Sequence, residues 1–131
     1  MAHADDLSGS WYCCYWFPSN THDGEDPSSY QVTAEQTGEQ LIFQSVPNAA
    51  GSYIFIRLHV DGIYAAGSWT ENTEPEGEFA GMIYSGVMQL ILSEDRQRMT
   101  GKWVGTGRDL QQQRPDVYGG RWEFSRQPID A

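Results

Sequence analysis

The sequence predicts an all-β fold for its 131 residues: a single antiparallel up-and-down barrel of eight or nine strands, with a two-sheet sandwich as the alternative. Three observations point there. No segment sustains apolar residues at i, i+3, i+4 and i+7 over three turns, so no helix is expected. Short strand-like runs recur instead, separated by turn signals. Four of the five tryptophans stand two residues after a glycine, at Gly9-Ser10-Trp11, Gly67-Ser68-Trp69, Gly101-Lys102-Trp103 and Gly120-Arg121-Trp122.

Strands are expected at 8–17, 29–36, 40–46, 52–60, 63–71, 78–84, 86–92, 98–105 and 118–126. The first carries Cys13 and Cys14, whose side chains leave opposite faces of a strand. A disulfide between them would be strained, so two reduced thiols are expected, with a vicinal-thiol metal or redox role as the minor reading. Thr37-Gly38 turns a hairpin that places Tyr30, Val32, Leu41 and Phe43 inside. Asp61-Gly62 joins IFIRLHV to IYAAGSW as a two-residue hairpin turn. That turn predicts Val60 opposite Ile63, Leu58 opposite Ala65, Ile56 opposite Gly67 and Ile54 opposite Trp69. One face of this hairpin is then aliphatic and forms the core, running from Ile54 to Val60 and from Ile63 to Glu71. The other face carries Tyr53, Phe55, Arg57, His59 and Tyr64.

Ser85-Gly86 is expected to turn between two short strands, with Tyr84 on one and Gln89 on the other. Lys102 is charged and should face out, which turns Trp103 in. Arg121 and Glu123 do the same for Trp122 and Phe124. In each Gly-x-Trp the glycine shares the tryptophan's face, relieves a crowded interior and lets the strand bend, while the tryptophan fills the adjoining space. The repeat is therefore a packing device first. Gly105 through Asp109 opens a long polar stretch that ends at Pro115-Asp116 and reads as a loop.

Composition excludes several functions. The net charge of −10 argues against nucleic acid and anionic membranes as direct partners. Arg96, Arg98, Lys102 and Arg108 form a loose basic region that reads as a solvated strand end. No apolar run approaches the roughly 20 residues of a membrane helix. The start of the sequence has no secretory pattern, and with the reduced thiols this predicts a cytoplasmic protein. A single domain spans 1–131, with 1–7 as a flexible lead-in. His3, His22 and His59 lack metal-ligand spacing, and Glu74, Glu76 and Glu78 lack calcium-loop spacing, so a solvated acidic loop is expected. No phosphate loop, dinucleotide fingerprint or Gly-x-Ser-x-Gly elbow is present. No cofactor and no metal are expected.

The early Gly9-Ser10-Trp11, followed by up-and-down strands, resembles the lipocalin or calycin superfamily, which opens its barrel with Gly-x-Trp on the first strand. Avidins share that opening, but their biotin-contact pattern has no match here. A longer likeness runs from Gly62 to Leu110. Its pattern is G-x-W-x-E-x-T, then F-x-G-x-x-Y-x-G-x-x-Q-L, then M-T-G-K-W-V-G. It is similar to a domain found behind helix-turn-helix modules in actinobacterial regulators. The likeness implies a sensory or interaction barrel. No helix-turn-helix segment occurs in this sequence, so direct DNA binding is not implied.

These readings converge on binding of a small, partly apolar molecule inside the barrel. Trp11, Trp69, Trp103 and Trp122 would form the walls, with Tyr15, Glu71 and Gln89 as polar contacts. Glu71 falls on the inner face, either at the rim in water or facing a ligand, and the turn-rich residues after it favour the rim. A second expectation is a protein-interaction or homodimerisation module with a filled core, working through Tyr53, Phe55, Arg57, His59 and Tyr64. A third is an enzyme with a catalytic carboxylate at the barrel mouth.

Overall fold

The computed structural model describes residues 6–18, 24–46, 52–72, 83–109 and 114–129. Eight antiparallel strands follow one another in chain order. They are β1 (Gly9–Pro18), β2 (Glu25–Thr37), β3 (Gln40–Ser45), β4 (Tyr53–Asp61), β5 (Tyr64–Asn72), β6 (Ile83–Leu92), β7 (Arg98–Asp109) and β8 (Arg114–Ser125). Each pairs with the next, and β1 pairs with β8, so the sheet closes into an up-and-down barrel. Among the described residues no helix is long and apolar enough to cross a membrane.

Two of the expected nine strands are one. Ser85-Gly86 is not a turn but the middle of β6, where Gly86 lies opposite Trp69 on one side and Gly105 on the other. Residues 78–82 of the expected strand 78–84, like the acidic loop at Glu74, Glu76 and Glu78, lie outside the described residues. The polar stretch after Gly105 is also strand over most of its length. β7 and β8 stay paired as far as Asp109 opposite Arg114.

Both tight hairpins form as expected, each displaced by one residue. The loop pairs are Gly38-Glu39 and Gly62-Ile63, with φ of 61° and 62° at the glycines. Glu39 and Ile63 keep negative φ, which is the II′ arrangement with glycine at its first central position. Val60 therefore faces Ala65, Leu58 faces Gly67, Ile56 faces Trp69 and Ile54 faces Glu71. The partners shift by two, which preserves the faces. Ile54, Ile56, Leu58, Val60, Ala65 and Trp69 are all buried, while Ile63 moves into the turn and is exposed.

The tryptophans work across strands. Trp69 stands opposite Gly86, Trp103 opposite Gly120 and Trp122 opposite Gly101. A methyl group at Gly67 would overlap the Arg57 carbonyl, at Gly101 the Gln89 carbonyl, and at Gly120 the Trp16 carbonyl. Backbone thus enters the space a side chain would need, and tryptophan rings of neighbouring strands close over two of the glycines, Trp103 over Gly120 and Trp69 over Gly105. At Gly67, Gly101 and Gly120 the gap expected beside the tryptophan of the same strand is filled by a carbonyl of another strand instead.

The closed end, where the tight turns lie, is packed solid. Trp11 meets Phe43 edge-on at 6.2 Å, Phe43 meets Phe124 at 4.5 Å, and Phe124 stacks on Trp122 at 6.2 Å. Leu7, read from the sequence as part of the lead-in, is 1% exposed, and its carbonyl accepts the Trp11 indole N–H at 2.7 Å. Arg126 ties the chain ends together. Its guanidinium lies 4.2 Å from the Trp11 ring centroid and donates to the carbonyls of Ser10 and Ser8, each at 3.0 Å. Cation–π contacts of this kind contribute about 0.5–2 kcal/mol.

Gly101→Ala should lower folding stability by about 1–3 kcal/mol, because the added methyl must displace backbone. Urea unfolding reads this directly, and an unchanged midpoint would contradict the close strand approach.

Candidate functional site

The strand ends at Pro18 and Glu25, Ser45 and Tyr53, Asn72 and Ile83, and Asp109 and Arg114 lie at the end of the barrel opposite the tight turns. Inward residues near this end differ from those below. β1 contributes Cys13, Tyr15 and Phe17, β2 Tyr30, β5 Trp69 and Glu71, β6 Tyr84, β7 Trp103, and β8 Tyr118 and Trp122.

Glu71 organises them. It is 6% exposed, so it does not stand in water at the rim as its turn-rich surroundings suggested. The Tyr15 hydroxyl donates to both carboxylate oxygens, at 2.6 Å to Oε1 and 2.8 Å to Oε2. The Tyr30 hydroxyl donates to Oε2. Moving a carboxylate out of water costs several kcal/mol unless hydrogen bonds replace its hydration. Hydroxyl donors arriving from β1 and β2 supply that replacement, and the local sequence around Glu71 gives no sign of them. Tyr84 is partly buried directly opposite Glu71 on β6.

Burial and the glutamate act on the same neighbours. Burial, then the charge of Glu71, pushes both the Tyr15 and the Tyr30 hydroxyl well above the ordinary tyrosine value. Tyr84 is raised by burial first, then by Glu71 and Tyr118. Burial pushes the Cys13 thiol from 9.0 up to about 12, partly offset by the N–H of Trp122 beside it. That indole N–H, fully buried, has no hydrogen-bond partner of normal geometry among the described residues. At neutral pH these hydroxyls and this thiol are therefore protonated. They can donate hydrogen bonds, as the two hydroxyls do to Glu71.

The walls are aromatic. Tyr15 packs on Trp122 at 4.6 Å and against Trp103 at 5.9 Å. Trp69 lies 5.5 Å from Trp103 and 5.6 Å from Trp122. Of the residues expected in a site, the fold brings together Tyr15, Trp69, Glu71, Trp103 and Trp122. Trp11 is separate, sealed into the closed end. Gln89 is also separate, because β6 is one strand and Met88 and Leu90 take its inward positions; Gln89 is exposed on the outside. Sequence reading did not place Tyr30, Tyr118 or Cys13 in a site. Their inward parity was available, but their convergence on Glu71 was not.

The expected outer stripe is partly engaged. Arg57 sits 5.8 Å from the Phe55 ring centroid, and His59 lies 3.2 Å from Glu39. Tyr53 and Tyr64 stand at opposite ends of the β4–β5 hairpin and are 36% and 54% exposed. Both cysteines are free thiols, and Cys14, on the outward side of β1, is covered by its neighbours. Among the described residues no group of three or more His, Cys, Asp or Glu is placed to hold a metal ion. The chain matches no family model, no curated protein and no solved structure.

Two outcomes follow for stability. Tyr30→Phe removes one donor from a buried carboxylate and should cost about 1–3 kcal/mol in urea unfolding, whereas a neutral effect would mean that water reaches Glu71 freely. Raised folded-state values of Cys13, Tyr15 and Tyr30 mean that the folded chain keeps protons which the unfolded chain releases near their ordinary values of 9.0 and 10.0. Their contribution is complete below about pH 9 and is lost as pH rises through the folded-state values. Urea midpoints should thus fall steadily above pH 9, and less steeply in Cys13→Ala. A slope identical in that variant would remove the thiol from the account.

Proposed function

We propose that the barrel binds a small, partly apolar molecule at its loop end without catalysing a reaction on it. The observation that supports this most is Glu71. A filled core gains nothing from a buried carboxylate, since apolar residues of similar volume generally stabilise as well or better. Here the carboxylate is instead held in a set orientation by two tyrosine hydroxyls, inside walls made by Trp69, Trp103 and Trp122. Recognition sites commonly combine apolar walls with a few fixed polar groups.

The chemistry narrows the ligand. A buried carboxylate in a chain of net charge −10 repels anions, so the molecule is neutral or cationic. The resemblance to lipocalin-like barrels agrees with an interior ligand, and the likeness of 62–110 to the domain carried behind helix-turn-helix modules makes binding a sensory event read by a partner. Free thiols at Cys13 and Cys14 fit a reducing, cytoplasmic setting.

A thermal-shift and tryptophan-fluorescence panel of aromatic amines, neutral aromatics and aromatic carboxylates tests the reading. A neutral or cationic compound at 100-fold excess over its Kd should raise Tm by roughly 10 °C. Glu71→Gln should weaken that response at least about tenfold, as expected for loss of a charged hydrogen-bond acceptor. A response that survives Glu71→Gln would place the ligand elsewhere. A panel without response, together with an adduct-free native mass, would leave a filled barrel.

A further inference from the structure

The outside of the barrel carries a second feature, independent of the interior. Two rows of outward residues cross the middle strands at one level. One runs Gln40, His59, Ala66, Gln89, Lys102; the other runs Arg57, Ser68, Val87, Val104. Together they line an open groove of about 860 Å³. Its floor is low because β5 presents only Ala66 and Ser68 there.

The groove differs from the rest of the molecule in charge. The chain has 18 acidic residues, yet among the described residues none lines the groove. The outward positions of β5, β6 and of β7 from Arg98 to Thr106 carry no carboxylate at all. Cations flank the groove on both sides, Arg57 on β4 and Lys102 on β7, with His59 beside Arg57 on the outward face of β4. His59 reaches Glu39 at one end, whereas Lys102 makes no ion pair among the described residues.

It also differs in hydropathy. β6 is apolar on both faces, with Met88, Leu90 and Leu92 inward and Ile83, Val87 and Ile91 outward, the latter 71%, 58% and 52% exposed. A strand of this composition is usually covered on both sides. Val104, 50% exposed, stands beside Val87, and Tyr64, 54% exposed, stands beside Ile91.

We propose that this groove across β4–β7 docks an acidic, amphipathic helical segment of a partner protein. Apolar residues on one face of such a helix would lie over Ala66, Ser68, Val87 and Val104, and its carboxylates would meet Arg57 and Lys102. Charge complementarity selects this occupant. A second copy docked through the same face would bring the same cations to both sides of the contact. A bilayer is flat and cannot follow a concave floor.

The test uses the full chain, labelled with ¹⁵N, and two synthetic amphipathic helices of about 18 residues, long enough to fold in isolation. Both carry leucine on one face; the other face is glutamate in one peptide and lysine in the other. The acidic peptide should shift the amides of Ala66, Ser68, Val87 and Gln89. Arg57→Glu combined with Lys102→Glu should weaken it at least about tenfold, as two charge reversals at a contact do. Both side chains are exposed, so the double variant should keep its melting temperature. Equal shifts from both peptides, shifts mapping elsewhere, no shift at millimolar peptide, or perturbation of the same amides by protein concentration alone would each overturn the proposal, the last in favour of self-association.

Discussion

Closure of the sheet is the constraint on which everything else depends. β8 can meet β1 only if the strands between them bend and approach closely. Glycine makes that approach possible, and tryptophan makes it tolerable. At Gly67, Gly101 and Gly120 a carbonyl of a neighbouring segment fills the space where a side chain would stand. Trp69, Trp103 and Trp122 stand opposite Gly86, Gly120 and Gly101 on the adjacent strand, and the Trp69 ring lies over Gly105. The ring contacts that result join the tryptophans into one cluster, so the same residues that permit curvature also wall the interior.

Closure creates two unlike ends. Tight II′ turns, Leu7, the Trp11–Phe43–Phe124 stack and the Arg126 clasp make the turn end a solid plug. Towards the other end the interior turns polar, and a carboxylate is held where an apolar side chain would have been simpler. Because Tyr15 and Tyr30 arrive from β1 and β2, the position of Glu71 depends on the pairing of β1 with both its neighbours. Folding and recognition chemistry are thereby coupled: the hydroxyls that orient the carboxylate are correct only when the barrel is closed.

Charge is partitioned as well. Carboxylates crowd the connections and strand ends in the sequence, among them Glu25, Asp26, Glu39, Asp61, Glu94 and Asp95, while the outward face of β5 and β6 has none. A highly charged chain gains solubility from repulsion between copies. Leaving one apolar wall free of carboxylates works against that gain, which is why this wall stands out as a surface with a separate role.

Alternation and turn residues in the sequence by themselves determined the all-β class, the barrel, the inward set from Ile54 to Trp69, and the inward turn of Trp103 and Trp122. These are local properties: side-chain direction repeats every two residues, and positive φ selects glycine. The misplaced hairpin loops did little harm for the same reason, since a two-residue shift of partner leaves each side chain on its face. Only the tertiary structure decided the rest. Gly86 read as a turn because a glycine within a strand has no local explanation; its reason is the β7 backbone at Val104 and Gly105, which occupies the place of a side chain and is reached only through pairing. Glu71 read as a rim residue because its two hydroxyl donors lie 56 and 41 residues earlier in the chain. Leu7 read as a loose end because Gln36, which accepts its N–H, is brought there only by the pairing of β1 with β2. The outer groove is a sum over five strands that no single segment contains. Pattern within a strand is written in neighbouring residues, whereas close approach, burial and surface shape are relations between residues that only the closed sheet brings together.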